Sequence, residues 1–174
     1  MIIKAPVRAG AFLVFKRKMN LPHYPTRRLS SQEFQFFSTG PKGIFELHVH
    51  FQQIGERIFN LAFGVWDQTT ETVDDSYNLR NQDTDIILAT VGRIALDFLD
   101  EYCPCDVFAV GSTPGRTRKY QMGISHHISN LTEKYRVLGF LASTEDVFDY
   151  LDSKESWREI EQGVNYKAFL ITSK

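Results

Sequence analysis

The residues best suited to chemistry lie in Gly111-Ser112-Thr113-Pro114-Gly115-Arg116-Thr117-Arg118-Lys119-Tyr120, where an apolar strand-like run passes into a helical one. Ser112 or Thr113 suits an N-cap and Pro114 the first helical position. Such a start leaves backbone N–H groups and the positive end of a helix dipole available to an anion. Arg116, Arg118 and Lys119 add three cations to the same first turn, where the macrodipole disfavours them unless negative charge is near. This local conflict marks a candidate anion-binding set of Ser112, Thr113, Gly115, Arg116, Arg118 and Lys119, with arginine suited to bidentate phosphate or carboxylate contact. The plainer alternative is a well-capped helix whose arginines pair internally with Asp67, Asp74 or Asp75. The run has neither the Gly-x-x-x-x-Gly-Lys-Ser/Thr spacing of a P-loop nor a dinucleotide fingerprint.

Other reactive groups offer less. Glu46, His48 and His50 alternate along one stretch and so share a strand face, which turns two imidazoles and a carboxylate the same way. Nothing else in the sequence completes a ligand shell, so no metal is expected, and the solvated face of an amphipathic strand is the simpler reading. His126 and His127 are helical neighbours that point in different directions. Cys103 and Cys105 flank Pro104, too close for an unstrained disulfide and too few for a zinc site, which fits a reducing compartment. No spacing joins Cys103, Cys105 or Ser112 to a base, so no catalytic residue is assigned and no cofactor is implied. A metal-free nuclease would need His48, His50 or Tyr120 beside the basic run. The acidic run between Asp67 and Asp75 reads as a hairpin loop, with an arginine partner or a divalent-cation loop as alternatives.

The elements that must position these groups follow from hydrophobic period. Residues 21–31, with Pro22 and Pro25, form an extended lead-in, and Phe34, Phe36 and Phe37 suggest a short strand. Gly40-Pro41-Lys42-Gly43 is a turn. Residues 44–53 alternate strictly, Phe45, Leu47, Val49 and Phe51 against Glu46, His48, His50 and Gln52, and residues 58–67 supply a hairpin partner. Residues 73–79 suggest a fourth strand. From 83 to 102 the period changes to three or four, giving an amphipathic helix capped by Asn81 or Asp83. A strand at 106–110, a second helix with the stripe Tyr120, Ile124, Ile128, Leu131 and Tyr135, a strand at 136–142, a helix or irregular excursion at 145–158 and a last strand at 166–172 complete the chain. A crossover through the second helix would set its two flanking strands parallel. The sum is an α+β fold: a two-layer sandwich in which a mainly antiparallel mixed β-sheet is packed on one face by two long α-helices.

The 174 residues, 43% hydrophobic and 24% charged, suffice for one globular domain and exclude disordered and fibrous classes. A net charge of -1 excludes global attraction to polyanions, so any phosphate contact must be local. The apolar run at 11–15 is too short for a signal core or a membrane span, so a cytoplasmic protein without membrane contact is expected. Residues 1–18 read as an N-terminal extension, or a first strand, before a single domain at 19–174.

Met19-Asn20-Leu21-Pro22-His23-Tyr24-Pro25, Asn60-Leu61-Ala62-Phe63-Gly64-Val65-Trp66-Asp67, residues 111–120 and Gly163-Val164-Asn165-Tyr166-Lys167-Ala168-Phe169 together resemble a family of small uncharacterised Bacteroidota-type bacterial proteins, a domain of unknown function. The resemblance implies a stand-alone domain starting near Met19 and supplies no reaction. The expected function is a binding module for nucleic acid or a nucleotide at residues 111–119. The alternatives are a protein partner, as in a toxin–antitoxin or phage-defence pair, and a small nuclease. A homodimer through an exposed sheet edge or the polar sheet face is compatible with each.

Overall fold

A computed structural model describes residues 21–75, 79–102, 104–141 and 156–174. Its elements run β1 (Arg27–Arg28), β2 (Glu33–Gly40), β3 (Gly43–Gln53), β4 (Ile58–Asp67), β5 (Thr72–Asp74), α1 (Thr84–Tyr102), β6 (Asp106–Ala109), α2 (Pro114–Leu131), β7 (Tyr135–Phe140), β8 (Trp157–Glu159) and β9 (Ala168–Ser173). The strands form one sheet in the order β1-β2-β3-β4-β6-β9-β7-β8, with β5 pairing β4 off this path. The β4–β6 pairing is parallel and the other pairings antiparallel. The chain is thus α+β, two helices on a mixed, mostly antiparallel open sheet.

The helix-covered face is the one the alternation selects. Phe36, Leu47, Val49 and Phe51 meet Ile87, Val91, Ile94, Phe98 and Leu99 of α1, and Val107, Val137 and Ile171 extend this core across β6, β7 and β9. Phe98 stacks on Phe51 with ring centroids 3.9 Å apart and planes 3° from parallel. The opposite face is divided. Over β6, β7 and β9 it carries a second apolar cluster of Phe108, Phe140 and Ala168 with Trp157 and Leu170 packed against it. Over β2, β3 and β4 it is polar, presenting Glu33, Gln35, Glu46, His48, His50 and Asn60.

Several expectations change in detail. The lead-in contributes the two-residue β1, and the strand expected at 73–79 is the short β5, with residues 76–78 outside the described residues. Tyr135 belongs to β7 rather than the stripe of α2, because the helix stops at Leu131 with Thr132 as its C-cap. Most of 145–158 lies outside the described residues, and its end forms β8. The strands flanking α2, β6 and β7, do run the same way, yet β9 lies between them and pairs antiparallel with both. The adjacent parallel pair is instead β4–β6, joined through α1. Strand order is a long-range property, and periodicity does not carry it.

Candidate functional site

The start of α2 folds as its sequence predicts. Thr113 sits in extended backbone at φ -140°, and its Oγ1 accepts from the Arg116 N–H at 3.3 Å. The Gly111 N–H donates to Thr117 Oγ1 at 3.1 Å, closing the strand end onto the first helical turn. A Cβ at Gly111 would fall 2.4 Å from the Thr117 nitrogen, so this approach needs glycine.

The loop before α1 reaches the same place. Asp83 immediately precedes that helix: its carbonyl accepts from the Ile87 N–H at 3.0 Å, and its carboxylate from the Tyr24 hydroxyl at 2.8 Å and Ser38 at 2.5 Å. Buried Asn81 donates to Ser38 Oγ at 2.9 Å and the Gly43 carbonyl at 3.1 Å, and accepts from the Lys42 N–H at 2.9 Å. These bonds hold Arg80 and Gln82 at φ 48° and 61°, left-handed values that cost a non-glycine residue energy.

Between the two helix starts lies a cleft of about 380 Å³. Arg80, Asp83 and Thr84 line it from the α1 side, Thr113, Gly115, Arg116 and Lys119 from the α2 side, and Asp75 from the loop after β5. Two helix N-termini and three cationic side chains therefore converge on one concavity. Of the predicted set, Thr113, Gly115, Arg116 and Lys119 line the cleft. Ser112 stands beside it, its hydroxyl donating to the Asp75 carbonyl at 3.4 Å and accepting from Arg116 Nη1 at 3.1 Å. Arg118 is exposed and is not part of the lining. Arg80 was missed because no local pattern distinguishes it; only the folding of its loop brings it in. Asp67 stays apart, its carboxylate accepting from the Thr69 and Thr70 N–H groups at 2.7 and 3.3 Å, which holds its pKa below the usual range.

Tyr120 borders the cleft with its hydroxyl pushed up to about 12, chiefly by burial and further by Asp75, against the opposing field of Arg116. A phenol so placed stays protonated at neutral pH. Of the three nuclease candidates, Tyr120 is the one the fold sets beside the basic residues. Leu47 is in the cleft wall, and its neighbour His48 leaves β3 on the opposite face.

That opposite face holds a second cluster. His48, 4% exposed, has Glu33 Oε1 3.0 Å from Nδ1 and Glu46 Oε1 2.8 Å from Nε2, and its ring stacks on Trp66 at 4.3 Å. His50 Nε2 lies 3.7 Å from the same Glu33 oxygen, buried and without a hydrogen bond. Burial and the neighbouring His48 hold the His50 pKa below the usual imidazole value despite Glu33. Burial pushes Glu46 up, but bonds from His48, Gln35 and Gln68 outweigh it and leave the carboxyl below its ordinary range. Glu33 is the member the sequence reading missed. Its signal was present in the two-residue turn pairing Gly40 with Gly43, since that register sets Glu33 opposite His50.

A third concavity, about 670 Å³ and mainly apolar, runs between α1 and α2. His126 and His127 line it with ring centroids 4.6 Å apart and planes at 82°. Burial first, then the adjacent His126, lowers the His127 pKa. No described helix is long and apolar enough to cross a membrane.

The fold and cleft define a class: a two-layer α+β domain with an open sheet, whose two helices start at one charged concavity. The chain belongs to the family of unknown function DUF6934, whose family model matches residues 20–174. No curated protein and no solved structure matches the chain.

Proposed function

We propose that this domain is a binding module whose cleft takes a phosphate-bearing ligand, a nucleotide or the backbone of a nucleic acid. The observation that carries this reading is the convergence of both helix N-termini with Arg80, Arg116 and Lys119 on one concavity. The volume suits a nucleotide-sized ligand, since small-molecule sites begin at about 300 Å³. The net charge of -1 favours a single phosphate group held in the cleft over a long polyanion spread across the surface. Asp75 and Asp83 share the lining; the Asp83 carboxylate accepts from Tyr24 and Ser38, and Arg116 donates to Ser112 at the cleft edge.

The test is nucleotide and short-RNA binding to the parent, to the Arg116→Ala/Lys119→Ala double variant and to Arg118→Ala, over a salt series. Affinity in the double variant should fall about tenfold or more, as expected for lost charge-assisted bonds, with a shallower salt slope, while Arg118→Ala stays near the parent. Equal binding by parent and double variant would sink the proposal. A protein partner is the second reading, supported by the apolar groove between α1 and α2 with Met122 64% exposed beside it. Co-purification that Met122→Lys abolishes would favour it.

A further inference from the structure

We propose that Glu33, His48 and His50 form a site for a divalent transition-metal ion on the polar face of the sheet. Their candidate ligand atoms, one from each residue, all lie within 4.8 Å of one another. Tetrahedral zinc with bonds of about 2.0–2.2 Å to nitrogen and oxygen needs its ligand atoms roughly 3.3 Å apart. Only side-chain rotation separates the present spacing from that geometry, because the backbone positions are fixed by a paired ladder: Glu33 is opposite His50, and His48 is two residues along the same strand.

The hydrogen-bonding pattern points the same way. Glu46 and Glu33 each present a carboxylate oxygen to a different nitrogen of one buried imidazole. A protonated ring donates to both of them, whereas the neutral ring that a metal takes donates to one and turns a lone pair toward the other. If Nε2–H donates to Glu46, that lone pair is on Nδ1 and faces Glu33; a cation between Nδ1 and Glu33 Oε1 converts the opposition into two bonds. His50 Nε2, buried and unbonded, completes the set from the neighbouring position. Glu46 then plays the part of the carboxylate that orients a metal-bound histidine, and Gln35 and Gln68 hold Glu46 in turn. Two imidazoles and one carboxylate suit zinc and neighbouring first-row ions; magnesium and calcium prefer oxygen ligands alone. Glu33 and His50 keep 30% and 36% of their side chains exposed, so the cluster lies at the edge of solvent.

The experiment is calorimetric titration of Zn²⁺ and Co²⁺ into the chelator-treated full chain. Cobalt is also followed by visible absorption and by fluorescence of Trp66, which lies against His48. One ion should bind per chain and raise the melting temperature. Glu33→Gln and His50→Ala should each lose that binding, and Glu46→Gln should weaken it about 10- to 100-fold. Both Glu33 and His50 are partly exposed, and circular dichroism of the metal-free variants verifies that they fold. The His126→Gln/His127→Gln variant removes the other close histidine pair and should bind like the parent. Binding that survives both Glu33→Gln and His50→Ala, disappears with the His126/His127 pair, or reaches only millimolar strength in the parent overturns the site.

Discussion

The cleft between the helix starts and the polar cluster on the far side of β3 are built in opposite ways. Helix starts, loop residues and long cationic side chains make the cleft, and residues at left-handed φ line or flank it. Short side chains projecting from hydrogen-bonded strands make the cluster, and register alone fixes their spacing. The cleft thus gathers Arg80, Arg116 and Lys119 from two helix starts and a loop, the arrangement proposed above to hold a single phosphate group. The cluster holds a few donor atoms on a stiff ladder, as suits a point charge. Leu47 and His48 are adjacent in sequence and serve the two regions from opposite faces of one strand.

The largest expected effect tests whether the regions are independent. Asn81→Ala removes three hydrogen bonds from a residue 2% exposed and leaves Ser38 with its bond to Asp83 alone. The loss should be about 3 kcal/mol in denaturant unfolding, with weakened nucleotide binding and unchanged zinc affinity in the folded fraction. Loss of zinc binding as well would show that one network supports both regions.

Two glycines in and beside α2 sharpen the contrast at intermediate size. Gly111→Ala drives a Cβ into the first turn of the helix and should cost about 1–3 kcal/mol together with phosphate binding. At Gly123 nothing lies within 4 Å of the added Cβ, and alanine there should stabilise the helix by up to about 1 kcal/mol. Thermal or chemical melts of the pair measure both signs.

The smallest effect concerns the groove histidines. The folded chain holds the His127 proton less tightly than the unfolded chain does, so this residue's contribution is intact at neutral pH. It is lost as pH falls from the ordinary imidazole range toward the lowered value. Nuclear magnetic resonance should show His127 titrating below the usual imidazole value and rising toward it in His126→Gln, with zinc shifting neither groove histidine.

Legibility differed between the regions for the same physical reasons. The helix start at Thr113 and Pro114, the alternation through Leu47, His48 and Val49 and the long stripe of α1 are short-range patterns, and the sequence predicts them at nearly their observed bounds. Four of the six predicted anion-site residues line the cleft for that reason. Arg118 does not, because three cations on one turn cannot all face the same way. Glu33 was within reach of a register argument from the turn at Pro41-Lys42, whereas Arg80 was not, since an irregular loop has no period.

By itself, the sequence determined the elements: two amphipathic helices, a run of alternating strands, a capped and cationic helix start, and a strand face bearing two imidazoles and a carboxylate. Local sterics and hydrophobic period act within a few residues, and they suffice for that much. Tertiary structure alone decided that β9 would lie between β6 and β7, that the starts of α1 and α2 would share one cleft with Arg80, and that the nuclease candidates would end on opposite faces of the sheet. Those outcomes depend on which strands pair across long stretches of chain, and burial of the shared core of Phe36, Phe51, Phe98 and Val107 sets that pairing rather than any one segment's own preference.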